Sequence, residues 1–299
     1  MASVVSRWFD DAPLRLARRS GAPSEGACPA CGVSGLVRLT GLPRDIAFAG
    51  PGIFECPACR HRFLPTTPAQ QVEIERAYGH DYEGYAADAF FGRAVREEVA
   101  AHLVPRVPPP ARVLDVGSGA GEFLLAARAA GYDARGVDVS DAAAAIARSR
   151  GVPAESADFL THDFGGTFDV ISMWDVVEHL REPSAFLSRA RELLSPRGVL
   201  LLKVPGFRGR AFLAIGAAPR LAQTILGAPA HIQYFCRQSL EALLDRTGFH
   251  DRAWLPQRPL RDVYGSPARP LRFARRHVRE AIFRPLGSGA LYLFAARGG

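Results

Sequence analysis

Two Cys-x-x-Cys units, Cys28-Pro-Ala-Cys31 and Cys56-Pro-Ala-Cys59, stand about two dozen residues apart near the start of the 299-residue chain. Each pair sets two thiolates in one tight turn, and Gly32 can take the positive φ that such a turn often needs. Two turns together make a tetrahedral four-sulfur site for zinc, closed to substrate and therefore structural. His61 is an alternative to Cys59 as the fourth ligand. The metal would hold together a segment too short to bury a core of its own. The fifth cysteine, Cys236, reads as a small buried apolar side chain. Thiols arranged in this way fit reduced cysteines and a metal, not a disulfide framework.

A second constellation has different chemistry. In Val113-Leu-Asp-Val-Gly-Ser-Gly-Ala-Gly-Glu-Phe123, the residues Gly117, Gly119 and Gly121 let the backbone turn sharply and approach a ligand closely. The dinucleotide fingerprint G-x-G-x-x-G needs a glycine where Glu122 stands, so a pyrophosphate site is disfavoured. Asp115, just ahead of the loop, points the same way, because a carboxylate there suits an ammonium or sulfonium ligand better than a phosphate. Asp138 lies about twenty residues past the glycines and can accept both hydroxyls of a ribose. Asp158 can meet an adenine amino group while Phe159 packs on the ring.

These residues need a scaffold that brings them to one edge. The pattern predicts strands at 112–116, 134–139, 168–174 and 199–204, the last closed by Pro205, with helices at 121–130, 141–150 and 183–194 between them. A further helix at 239–246, ended by Gly248, and strands at 249–255 and 290–296 complete the series. Alternation at this spacing implies a parallel sheet covered on both faces, with ligands beyond the carboxyl ends of its strands. Residues 68–103 read as helical, with Tyr78, Tyr82, Tyr85, Phe90 and Phe91 recurring either as packing or as a cover over a cofactor site, until Val107-Pro-Pro-Pro110 breaks the helix. The division is therefore a zinc module over 1–68, a helical linker and lid over 69–109, and the main domain over 110–299 with insertions near 206–230 and 256–285.

Composition narrows the setting. No run approaches the roughly 20 apolar residues of a membrane span, since the greasiest stretch, Ala211 to Ala218, is broken by Gly216 and flanked by Arg210 and Arg220. The N-terminus lacks the basic-then-apolar order of a secretory signal, and a cytoplasmic location is expected. The net charge is +7, and nine arginines between Arg252 and Arg284 face only Asp262 and Glu280. That stretch is either a solvated helix face or a surface for RNA, an anionic membrane or a phosphorylated substrate.

The chain from about 110 to 299 resembles the class I S-adenosylmethionine-dependent methyltransferases. The resemblance is carried by Asp115-Val-Gly-Ser-Gly-Ala-Gly121, Gly136-Val-Asp138, Ala157-Asp158-Phe159, Phe168-Asp-Val-Ile-Ser-Met-Trp-Asp-Val-Val-Glu-His-Leu180 and Gly198-Val-Leu-Leu-Leu-Lys-Val-Pro205. It implies an α/β fold with a Rossmann-like seven-stranded sheet whose last strand is reversed. It also implies S-adenosylmethionine held at Gly117 to Gly121, Asp138 on the ribose and Asp158 on the adenine, with Asp115, Ser118, Val139, Phe159 and Trp174 in the same cofactor-binding set. The pattern His231-Ile-Gln-Tyr-Phe235 with Ser239, Leu243-Leu244 and Gly248-Phe249 looks like the branch that modifies small molecules and glycan or lipid precursors.

Methyl transfer needs little from the protein beyond holding an acceptor in line with the sulfonium methyl. A hydroxyl acceptor also needs its proton removed, and histidine is best matched to neutral pH. His179 and His231 are the candidates, with Asp175, Glu178 and Lys203 behind them. The segment 206–230 supplies Phe207, Phe212, Leu213, Ile215, Leu221, Ile225 and Leu226 for an apolar acceptor pocket, a buried cap or a membrane contact. The expected activity is O-methylation of a small molecule or a lipid- or sugar-linked precursor. A ribosomal or transfer RNA methyltransferase is the alternative enzyme, although no Asn-Pro-Pro-Tyr motif or basic and aromatic strip supports it. A zinc-ribbon adaptor with a decayed methyltransferase domain is the alternative outside enzymes.

Overall fold

The computed structural model describes residues 18–19, 24–40, 52–78, 95–96, 98–207, 230–255 and 289–297. The cysteine turns join short antiparallel strands: β1 (Arg18–Arg19), β2 (Ser24–Ala27), β3 (Ser34–Thr40), β4 (Phe54–Glu55) and β5 (Arg62–Phe63). β3 pairs with β1, β2 and β4, and β4 pairs with β5. Helix α1 (Pro68–Tyr78) follows; its first turn is preceded by Thr67, which exchanges hydrogen bonds with Gln70. Helical structure returns at Val99–Leu103, where Val99, His102 and Leu103 are buried. Tyr82, Tyr85, Phe90 and Phe91 lie outside the described residues, as do 208–229 and 256–288.

The main domain alternates strand and helix as its sequence period does. In order come β6 (Arg112–Val116), α2 (Glu122–Ala129), β7 (Asp133–Asp138), α3 (Asp141–Ser149), β8 (Ala154–Ser156), β9 (Phe168–Trp174), a 3₁₀ turn at Val177–His179, α4 (Pro183–Leu193) and β10 (Leu194–Gly206). After these come β11 (Gln233–Tyr234), α5 (Arg237–Arg246), β12 (Asp251–Trp254) and β13 (Gly289–Ala296). Helix starts follow local chemistry. The Ser140 hydroxyl accepts the Ala143 N–H ahead of α3, and Pro183 opens α4, where a missing N–H costs nothing.

The seven strands run in the order β12-β13-β10-β9-β6-β7-β8. β8, β7, β6, β9 and β10 are mutually parallel, whereas β13 is antiparallel to both β10 and β12. This is the expected seven-stranded Rossmann-like sheet with its reversed strand. Side chains alternate across it with the pleat's period of two. Leu114, Ile171, Met173, Leu200 and Leu202 bury one face under α4 and α5, and Val113, Val170 and Leu201 bury the other under α2 and α3.

Most boundaries shift by one or two residues, but β10 already begins at Leu194, five residues ahead of the expected strand and at the expected end of the preceding helix. Pro205 does not close β10, which continues to Gly206 against β13. Pairing with β9 has already ended at Lys203, so the missing Pro205 N–H costs no bond on that side. Cys236 is not a buried apolar filler but the half-buried N-cap of α5. Its N–H donates to Ser239 Oγ at 3.0 Å, which starts the helix two residues earlier than the apolar pattern suggests.

The cysteine module is not a separate bead. β11, from far along the chain, pairs antiparallel with β5 and forms the edge of the module's sheet, Gln233 opposite Phe63 and Tyr234 opposite Arg62. α5 lies against both knuckles, through Arg246 to the Pro29 carbonyl and Gln238 to the Ala58 carbonyl. Cys28, Cys56, Cys59 and Phe63 consequently share one buried core with β9, β10, α4 and α5.

Candidate active site

The glycine loop sits where β6 gives way to α2. Gly117, Gly119 and Gly121 all have positive φ, at 68°, 52° and 84°. At two of them space is also decisive. A Cβ on Gly117 would stand 2.6 Å from Val176 Cγ2, and one on Gly121 would stand 2.8 Å from Val152 Cγ2. The loop therefore needs glycine both for its turn and for close packing. Ser118 is buried inside it, and its hydroxyl has no hydrogen-bond partner.

Two carboxylates lie beneath and beside the loop. Asp138, at the end of β7, accepts the Gly119 N–H at 2.8 Å and the Ser140 N–H at 2.9 Å, one on each oxygen. Burial raises its pKa, against the pull of those two N–H groups. Asp115, at the centre of β6, accepts the Ser172 hydroxyl at 2.7 Å. Burial pushes it up to about 7, Ser172 opposes that shift, and the neighbouring charge of Asp138 adds to it. Ser172 was not singled out from the sequence, where it reads only as a small residue within an apolar strand.

Beyond β8 the backbone stays tied to β7 through Ala157 N–H to the Asp138 carbonyl at 3.0 Å. Asp158 accepts from the Leu160 N–H and the Thr161 hydroxyl, so it caps its own turn. The Phe159 ring is buried against Phe164 and Phe186, with centroids 5.9 and 5.5 Å away. Val139 is 67% exposed and Leu160 37% exposed, and they follow the carboxyl ends of the adjacent parallel strands β7 and β8. Exposed apolar side chains at the carboxyl edge of a parallel sheet offer a surface for a planar ring; Val139 belongs to the expected set and Leu160 does not. Trp174 closes β9 with its ring 5.4 Å from Phe123.

The other half of the edge is polar. Asp175 follows β9 with φ 54°, its N–H on the Lys203 carbonyl and its carboxylate paired with the Lys203 ammonium. The 3₁₀ turn then places Glu178 at 0% exposure, with neither carboxylate oxygen hydrogen-bonded among the described residues. Burial raises its pKa well above the usual carboxylate range, and the charge of Asp175 adds to the effect. His179 Nδ1 donates to the Ala230 carbonyl at 2.9 Å, and burial lowers its pKa against the pull of that carbonyl and of Asp175. His231 meets His179 edge to face, with ring centroids 4.8 Å apart. Glu178, His179 and His231 bring one ligand atom each to within 4.8 Å of one another, a group able to hold a metal ion. The sequence pairing of His179 with His231 is thus met in space, and Glu178 joins it.

The four paired cysteines converge as well. Cys28 Sγ lies 3.6 Å from Cys59 Sγ, and Cys31 Sγ 3.6 Å from Cys56 Sγ. These separations are too long for disulfides and near the roughly 3.8 Å edge of a tetrahedral zinc–sulfur site. Cys28 is held down to about 5 by the Cys59 thiol donating to it, whereas burial pushes Cys56 up to about 11. Such crowded thiols become thiolates together only around a cation, which is what the donor set suits. His61 stands outside the group, its Nε2 on Gln233 Oε1 at 2.7 Å.

Among the described residues no helix is long and apolar enough to cross a membrane. Of the nine arginines between 252 and 284, Arg252 is described, and it is bound to the Glu241 carbonyl and to Asp245 of α5.

Residues 85–253, more than half of the chain, match the methyltransferase-domain family. The ubiquinone biosynthesis O-methyltransferase of Xanthomonas campestris pv. campestris (strain B100) is 28% identical over 148 residues, which are 46% of this chain and 62% of that protein. The protein of the same name from Pasteurella multocida is 25% identical over 166 residues, 46% of this chain and 69% of its own length. The chain thus spans 62% of the first of these relatives. Among solved structures, a Burkholderia thailandensis 1,6-didemethyltoxoflavin-N1-methyltransferase with bound 1,6-didemethyltoxoflavin and S-adenosylhomocysteine is similar with a TM-score of 0.52 and 17% identity, covering 82% of this chain and 99% of that one. A Thermotoga maritima S-adenosylmethionine-dependent methyltransferase, a possible histamine N-methyltransferase, gives 0.50 and 17%, covering 76% and 99%. With its strand order and a match across more than half its length, the chain belongs to the methyltransferase-domain family and has the class I S-adenosylmethionine-dependent methyltransferase fold.

Proposed function

We propose that the protein transfers a methyl group from S-adenosylmethionine to a hydroxyl of a small molecule or of a glycan or lipid precursor, in the cytoplasm, with a structural zinc at Cys28, Cys31, Cys56 and Cys59. The observation that carries the reading is Asp138. Its carboxylate is oriented by the N–H groups of Gly119 and Ser140, directly beside the glycine loop. In this reading Asp138 takes the ribose hydroxyls, and the turn at Asp158 and Phe159 takes the adenine edge, with Val139 and Leu160 against the ring. Gly117 to Gly121, Ser118 and Trp174 surround the amino-acid end, with Asp115 as the negative charge beneath it. The sequence relatives are named O-methyltransferases, which supports oxygen as the acceptor atom.

The sulfonium supplies the electrophile. The chain's own task is to exclude water, align the acceptor and take its proton. His179 serves that last role, because burial favours its neutral form and it stands beside His231 at this edge. His231 faces it across the same edge. A second reading of the proton step rests on Glu178, a buried carboxylate whose oxygens lack hydrogen bonds beside both histidines. Glu178, His179 and His231 would then hold a divalent cation, whose Lewis acidity lowers the pKa of an acceptor hydroxyl.

Calorimetry with S-adenosylmethionine and S-adenosylhomocysteine tests the cofactor assignment, with micromolar binding expected. Incubation with methyl-labelled cofactor and separated phenolic, nucleotide-sugar, polyprenyl-lipid and RNA fractions tests the acceptor. Label entering RNA alone would overturn the small-molecule reading, and tight NAD binding without response to the methyl donor would overturn the whole.

A further inference from the structure

We propose that the cysteine module is the positioning half of the acceptor site: through His61 and Gln233 it fixes the two chain segments that carry His179 and His231. The inference rests on the reading of those histidines as the acceptor-side pair.

The hydrogen bonds at this edge differ between its two sides. The cofactor side is held by the main sheet itself: Asp138 binds Gly119 and Ser140, Asp115 binds Ser172, and Gly117 N–H donates to the Val137 carbonyl. The acceptor side has its own ties to β10, through Asp175 N–H to the Lys203 carbonyl and Phe207 N–H to the Phe235 carbonyl, and is held in addition from the module and from α1 behind it. Leu64 N–H donates to the Ile232 carbonyl at 2.8 Å, and Ile232 N–H donates to the Glu178 carbonyl at 2.9 Å, so one line of backbone bonds runs from the module through both histidine segments. Gln71 Nε2 donates to the His179 carbonyl at 3.0 Å, and Arg181 Nε to the Thr66 carbonyl at 3.0 Å.

Gln233 joins the two levels. Its Oε1 accepts from His61 Nε2 at 2.7 Å, and its Nε2 donates to the Leu180 carbonyl at 2.8 Å, one residue past His179. His61 is in turn part of the second knuckle, since its carbonyl accepts the Cys56 N–H at 2.8 Å, and its ring lies 4.6 Å from Phe235. Both side chains are buried. A buried amide and imidazole in series tolerate little displacement, because a broken link leaves polar groups without water to replace it. The geometry of the second knuckle therefore sets the position of Leu180 and His179, and the β5–β11 pairing sets that of His231.

The test uses the full-length protein with cobalt in place of zinc, so that thiolate-to-cobalt absorption reports whether the module is loaded, and S-adenosylhomocysteine as the probe of the cofactor side. Hydrogen exchange is followed over 177–182 and 230–235, against 112–121 and 133–140 as reference. Removing the metal with a chelator, and separately Gln233→Leu, should lower protection of the first pair of segments at least tenfold and shift the carbon-13 ring signals of His179 and His231. Affinity for S-adenosylhomocysteine should change less than twofold, and Gln233→Leu should keep the cobalt absorption. Unchanged protection and histidine signals would overturn the proposal. So would a parallel loss of S-adenosylhomocysteine binding and of protection in the reference segments, which would make the module a global support. If Gln233→Leu does not fold, chelation of the unmodified protein and Gln233→Glu decide. The latter keeps the acceptor for His61 but sets a carboxylate against the Leu180 carbonyl, and should loosen 177–182 at least tenfold. None of these readouts needs an acceptor, so failure of the histidine assignment in turnover assays is seen separately.

Discussion

The Ser172 hydroxyl donates to Asp115 inside the sheet, one strand away, at 2.7 Å. This single bond opposes the burial that pushes Asp115 up to about 7 from its ordinary 3.8. The folded protein therefore holds this proton more tightly than the unfolded chain. The resulting stability is fully present below the unfolded pKa and is lost as pH rises through about 7. Between about pH 5 and pH 8 the loss amounts to about 3 kcal/mol. Asp115→Asn resembles the protonated form and should lack this slope. Urea midpoints at the two pH values check it, and parallel profiles for the two proteins would contradict it. Ser172→Ala should carry the decline to higher pH.

Gly117 tests how far the loop depends on its lack of a side chain. Gly117→Ala must accept φ 68° and a Cβ 2.6 Å from Val176 Cγ2. The left-handed backbone costs about 1–2 kcal/mol and the overpacking about 1–3 kcal/mol. Val176→Ala in the same chain should return the packing part and leave the backbone part. Gly151→Ala is the control, because Gly151 has φ 81° with nothing within 4 Å of the added carbon. Urea denaturation of the four proteins separates the two costs, and equal losses at Gly117 and Gly151 would show that packing against Val176 is irrelevant.

Asp138→Ala removes the acceptor for two backbone N–H groups and, in the proposed reading, the ribose contact. S-adenosylhomocysteine affinity should fall at least tenfold in calorimetry, on the order of 1.4 kcal/mol or more. Asp158→Ala should weaken binding less, since Asp158 is exposed to water whereas Asp138 is buried, and a contact that competes with water is worth less.

The strands β6, β9, β10 and β13 were legible because each is rich in apolar residues, whereas β8, Ala154–Ser156, has no apolar run to mark it. Phe168–Trp174 appears over the predicted residues without change. The cofactor carboxylates were legible because parallel strands deliver their carboxyl ends to one edge, so spacing alone puts Asp115 and Asp138 together. The acceptor side was legible only as two histidines. Gln233 is an ordinary residue in a two-residue strand, and its partner His61 is 172 positions away. No local period encodes such a pairing. The burial of Glu178 was equally invisible, since a charged residue in a turn reads as solvent-facing until the chain from Ala230 closes over it.

Removal of the acceptor proton has two candidate chemistries, and Glu178 separates them. If His179 is a general base, His179→Ala should lower turnover on an identified acceptor about 10²-fold or more, with S-adenosylhomocysteine affinity almost unchanged. Glu178→Gln should then cost little, because burial already favours the uncharged carboxyl and the amide is its near isostere. If Glu178, His179 and His231 hold a cation, Glu178→Gln, His179→Ala and His231→Ala should each lower turnover to a similar extent. A chelator too weak to strip four thiolates should do the same to the unmodified protein, and added magnesium or manganese should restore it. The cysteine site remains loaded throughout, as its cobalt absorption would show, so the two metal sites are not confused. Full turnover in both histidine variants would remove both chemistries, and the rate would then come from alignment of an already ionised acceptor.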